Sequence, residues 1–157
     1  MSRGWWPAWS TCIVAVLWAA PLAAQVQISG LSDLAFGTWN GASDVEGEVD
    51  HCVLGNQGGR FSIEATGDGP GDSFALTNGP VSLPYQVAYD DGSGWSQLNS
   101  GTPLSGQRGS QNTNQFRRCL DGSQPRERVR VRVLAQDLSG AIGGGYSGTL
   151  TLLVAPE

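Results

Sequence analysis

Apolar and polar residues alternate with a period of two along most of this chain. Val81, Leu83, Tyr85, Val87 and Tyr89 form the clearest run, the pattern of a β-strand with one buried face. Pro84 inside it removes one ladder donor and favours an edge or a bulge. The run from Tyr146 to Pro156 is the second strong signal, with Leu150, Leu152 and Val154 on one face and Thr149, Thr151 and Leu153 on the other. An apolar strand of this kind must have its backbone groups and its apolar face covered, or it becomes an aggregation edge. Tyr146, Leu150, Leu152 and Val154 are therefore expected to pair with something.

The remaining stretches read as shorter strands between turns. Val26 and Ile28 share a face, and Leu34 and Phe36 share another ahead of Gly37 and Trp39. Val45 to Val53 predicts a strand with Val49, His51 and Val53 on one face and Cys52 on the other. A turn at residues 55–59 then predicts a hairpin to the alternating Phe61, Ile63 and Ala65. Phe74 to Leu76 and Trp95 to Leu98 predict short strands, and residues 99–115 a long polar loop around Leu104. Phe116 to Cys119 and Val129 to Val133 are expected strands, and residues 135–142 a link to the last strand. Eight or nine strands with no convincing helix predict an all-β fold, an immunoglobulin-like antiparallel β-sandwich.

Residues 1–24 read as a secretory signal peptide, with Arg3, an apolar core from Cys12 to Ala20, and Pro21-Leu-Ala-Ala before a cut between Ala24 and Gln25. An uncleaved anchor is the rival reading, but the apolar run is too short for an integral membrane span. Residues 25–157 are expected to form a single domain. Eight arginines against fourteen acids then leave a net charge of −6, which argues against nucleic acid as a partner. Cys52 and Cys119 remain, an even count that reads as one disulfide in an exported protein. Two cysteines and His51 are too few soft ligands for a metal site.

Little else points to chemistry. His51 is the only histidine and lacks the nucleophile and orienting partner that a catalytic base requires. The loops at 68–72 and 90–94 offer oxygen ligands without the spacing of a calcium loop, so turn chemistry accounts for them. No cofactor, metal or catalytic residue is expected. Arg128, Arg130 and Arg132 line one strand face opposite Val129, Val131 and Val133. They read either as a basic stripe for an anionic partner or as an outer face paired with Glu46, Glu48 and Asp50. The negative net charge favours the pairing.

Three segments together resemble one family. Leu31-Ser-Asp-Leu-Ala-Phe-Gly-Thr-Trp39, Pro84-Tyr-Gln-Val-Ala-Tyr-Asp-Asp91 and Gly144-Gly-Tyr-Ser-Gly-Thr-Leu-Thr-Leu-Leu-Val154 are similar, in order and spacing, to segments of spore coat protein U-like domains. These are secreted pilins of the archaic chaperone–usher pathway. The resemblance implies a sandwich lacking one strand, completed first by a periplasmic chaperone and then by a donor strand from a neighbouring pilus subunit after passage through an outer-membrane usher. It places the product at the cell surface or in the periplasm, with a role in adhesion or biofilm and no catalysis. The donor segment maps onto residues 25–29, with Val26 and Ile28 as the inserted side chains. The alternative is a self-complete secreted module for glycans, with Trp39, Tyr89 and Trp95 as a stacking platform.

Overall fold

The computed structural model describes residues 26–55, 59–124 and 127–157; the expected signal peptide and Arg126 lie outside them. In chain order the strands are β1 (Gln27–Ser29), β2 (Val45–Leu54), β3 (Arg60–Gly67), β4 (Ala75–Asn78), β5 (Val81–Pro84), β6 (Gln86–Asp90), β7 (Trp95–Leu98), β8 (Leu104–Arg108), β9 (Glu127–Val133) and β10 (Leu150–Pro156). Helix α1 spans Thr113–Leu120 and α2 spans Ala135–Ser139, with a 3-10 turn at Pro70–Asp72. One sheet has the order β1-β2-β9-β6-β7, a second β10-β3-β8, and β4 pairs with β5. Every pair of neighbouring strands is antiparallel. The all-β sandwich is the architecture that the alternation predicts. No described helix is long and apolar enough to cross a membrane.

The core gathers the inward residues of both layers. Val53, Val87, Tyr89, Val129, Val131 and Val133 come from the five-stranded sheet, and Phe61, Ile63 and Ala65 from β3. The run from Val81 to Tyr89 is not one strand. Pro84 has no N–H, and the Tyr85 amide donates to the Phe74 carbonyl at 3.0 Å, so the chain leaves the β4–β5 pair there and joins β9 from Gln86. Leu83, Tyr85, Val87 and Tyr89 all remain buried across the switch. The period of two therefore reports burial here, while the strand itself breaks.

Three other expectations are corrected. Strands β2 and β3 do not form a hairpin: β2 pairs with β1 and β9, and β3 with β10 and β8. The chain crosses between layers after Leu54, because both strands have a face to bury and each layer supplies one wall. Phe116 to Cys119 lies in α1, where a spacing of three puts both buried side chains on one helical face. Asn112 caps this helix by accepting from the Asn114 and Gln115 amides at 3.1 and 3.0 Å. The polar loop at 99–115 contains β8, which β3 recruits through backbone pairing although only Leu104 is apolar.

Residues 31–39 form no strand, yet Leu34 and Phe36 pack against the core. They occupy a hollow left by Gly47, where an added Cβ would lie 2.9 Å from Leu34 Cδ2 and 3.2 Å from Phe36 Cε1. Gly47→Val is expected to expel both side chains at a cost of about 1–3 kcal/mol, typical of overpacking. Urea unfolding with limited proteolysis at residues 31–39 checks this. An unchanged midpoint and unchanged cleavage would show that the hollow does not hold the segment.

Candidate functional site

Among the described residues, strand β10 has a neighbour, β3, on one side only. Register sets Leu150, Leu152 and Val154 opposite Gly67, Ala65 and Ile63, so these side chains turn inward with the core residues of β3. They are nonetheless only half-buried, while Leu153 faces outward and is 61% exposed. Upstream, Ser147 bridges to Thr77, with N···O distances of 2.7 and 3.1 Å. The Tyr146 hydroxyl donates to the Ile142 carbonyl at 3.1 Å. Tyr146, Leu150 and Leu152 thus lie along one wall, with Val154 two residues beyond its end.

Residues 31–39 face that wall. Among the described residues, no backbone hydrogen bond joins residues 31–38 to another segment. Between the two walls lie adjoining clefts of about 480 and 670 Å³. Leu34, Phe36, Leu76 and Tyr146 line both, and Val49, Val129 and Val131 form the floor of the first. Among the described residues, Asp33 is the sole charged one on either lining. The result is an apolar groove whose two rims both carry unpaired backbone, a shape suited to an extended chain.

The other singled-out residues lie elsewhere. Val26 and Ile28 pack against the molecule's own core, and Ile28 sits opposite Val53 in the β1–β2 ladder. Cys52 and Cys119 form a disulfide that joins β2 to α1, in a small cluster with Phe116 and Leu54. Arg128 pairs with Glu48 at 3.2 Å and Asp90 at 2.7 Å, and Arg130 with Glu48 at 2.6 Å. Arg132 bonds Asp44, with Glu46 4.0 Å away. Asp50 stands opposite Arg128 in register. The arginines thus form an ion-paired outer face, and Arg130 and Arg128 also stack on Trp95 at 4.0 and 4.8 Å.

That arrangement removes the aromatic platform. Tyr89 is fully buried, Trp95 lies on the outer face under two guanidinium groups, and Trp39 lines the groove while donating to the Ser43 carbonyl at 2.7 Å. The cause is parity: in the β6–β7 ladder Trp95 stands opposite Asp90, whereas Tyr89 stands opposite Ser96. Neighbouring positions on a strand face opposite sides of the sheet.

Sequence reading missed a buried polar pair, His51 and Glu127, which face each other in the β2–β9 ladder. Glu127 falls in phase with Val129, Val131 and Val133, so the alternation already marked it as inward-facing. His51 Nε2 lies 3.3 Å from the Tyr89 hydroxyl, and burial holds the imidazole below its ordinary pKa. Burial pushes the Glu127 carboxyl up to about 7, although its Oε2 accepts from the Val53 amide at 3.3 Å. The Cys52 and Cys119 sulfurs and this carboxylate lie within 4.8 Å of one another, but sulfurs bonded to each other offer no thiolate to a metal.

Glu127 makes stability depend on pH. Its folded pKa exceeds the unfolded value, so its contribution is complete below about 4.5 and is lost as pH rises through about 7. His51 acts in the opposite sense, losing stability as pH falls below about 6.5. Comparison with Glu127→Gln isolates the first effect. The variant is expected to gain up to about 3 kcal/mol on wild type between pH 4.5 and 8. A difference that stays constant across that range would refute the assignment.

No family model matches the chain, and no curated protein matches it. Among solved structures the fold is similar to a chain in the chaperone–tip adhesin complex of CFA/I fimbriae. That match has a TM-score of 0.58 and 18% identity, over 84% of this chain and 41% of the other. A second match, the CupB6 tip adhesin from Pseudomonas aeruginosa, has a TM-score of 0.45 and 12% identity over 85% of this chain and 42% of that one, too loose to carry weight. This chain spans about two-fifths of the length of each. What the molecule shares with the first of these chains is the all-β sandwich fold.

Proposed function

We propose that the protein is a non-catalytic subunit of a surface pilus or related coat, and that it works by accepting a β-strand from another protein. The observation that carries this reading is the groove: an apolar floor between two rims, the outer edge of β10 and residues 31–38, which find no backbone partner across it among the described residues. A strand laid between them would pair with both rims while its alternate side chains fill the clefts. The likeness in fold to a chain of a chaperone–tip adhesin complex and the resemblance to spore coat protein U-like pilins support it. On this reading the signal at residues 1–24 exports a single domain, a periplasmic chaperone fills the groove first, an outer-membrane usher passes the subunit on, and a neighbouring subunit takes the chaperone's place. The product sits at the cell surface, where adhesion and biofilm are its expected roles.

A strand supplied in cis tests this directly. Ten residues of alternating apolar and polar character, joined to Glu157 by a short flexible linker, would fold back along β10. The fusion is expected to raise Tm by about 10 °C or more, since each kcal/mol is worth roughly 4 °C in a domain of this size. Amides of β10 and residues 31–38 should become protected from hydrogen exchange. An unchanged Tm with unchanged exchange would sink the proposal.

A further inference from the structure

We infer that the strand filling this groove comes from a protein of different sequence and not from β1 of a second copy, so that the chain accepts a strand without donating its own. The inference rests on the acceptor reading above and names the kind of partner. Strand β1 is already in use. Gln27, Ile28 and Ser29 pair with Leu54, Val53 and Cys52, and Val26 and Ile28 pack on the core. Val53 is fully buried, and Cys52 is tied to α1 by the disulfide. Lifting β1 away would bare the edge of β2 at its most anchored point. A neighbour's groove would first have to repay that loss, and an exchange of equal contacts gains nothing.

Strand β1 also fits the groove poorly. It has three residues, roughly 10 Å of extended chain, against seven in β10, roughly 23 Å. It offers two apolar side chains, Val26 and Ile28. The groove runs from Leu152 and Leu150 past Tyr146 to Ala141 and Leu138. With Asp33 as the sole charge among the described lining residues, the fitting occupant is a longer strand with at least four alternating apolar residues.

The test uses the purified protein beginning at Gln25 and two peptides. One is the chain's own heptapeptide, Gln25 to Leu31; the other is a decapeptide with five alternating apolar residues. The decapeptide is expected to bind one-to-one and raise Tm, with the heptapeptide at least about 100-fold weaker. Light scattering of the protein alone should show no multiples of the subunit mass that the heptapeptide disperses. Comparable binding of the heptapeptide, or multimers that it disperses, would overturn the inference and leave the acceptor reading standing. Failure of both peptides to bind would overturn the acceptor reading and this inference with it.

Discussion

Replacing Cys52 and Cys119 together by alanine is expected to lower stability by about 4 kcal/mol. The bridge spans 67 residues, and closing a loop of that length removes roughly this much free energy from the unfolded chain by the entropy model. The structure adds a local consequence. Helix α1 has eight residues, too few to persist alone in water, and it is held to β2 by the disulfide, Phe116 and Leu54. Loss of the bridge should therefore melt α1 ahead of the sheets. Urea unfolding followed by tryptophan fluorescence, together with hydrogen exchange at residues 113–120, measures both effects. A midpoint within error of wild type, with α1 still protected, would show that packing alone holds the helix.

Placing a charge on the inward face of β10 should abolish strand capture and leave the isolated fold nearly intact. Leu152 is half-buried in the free protein, so Leu152→Asp leaves the carboxylate access to water until a donor strand covers it. Covering an unpaired carboxylate costs several kcal/mol, and about 3 kcal/mol already weakens binding by more than 100-fold. Leu153→Asp is the control, because that side chain faces solvent and should leave affinity unchanged. Titrating the alternating decapeptide against both variants decides the matter. Equal affinities would place the bound strand somewhere other than along the inward face of β10.

Much of the fold was legible because burial in a sandwich follows parity. Val49, His51 and Val53, then Leu83, Tyr85, Val87 and Tyr89, then Val129, Val131 and Val133 are each in phase and each buried. The ion-paired stripe of Arg128, Arg130 and Arg132 follows from the same parity, since the residues between the valines must face out. Legibility failed wherever the signal was not apolar. Strand β8 exists through backbone pairing with β3, and backbone groups are the same in every sequence. In α1, Phe116 and Cys119 are both inward-facing, but two apolar residues in a run of eight are too few to establish a helical period.

The candidate site divides along the same line. Leu150, Leu152 and Val154 identified themselves as an apolar face in need of cover, and that need is local to their strand. Which edge of β10 stays open is set by β3, more than eighty residues upstream in the chain. That residues 31–38 would form the opposite rim depended on Gly47 leaving room for Leu34 and Phe36. Whether β1 was free or committed depended on the exposed edge of β2. The sequence by itself determined which side chains had to leave water, because hydrophobic burial is a property of each residue and its phase. Only the tertiary structure decided which backbone edges were left without partners, because strand pairing is a choice among distant segments that carry identical hydrogen-bonding groups.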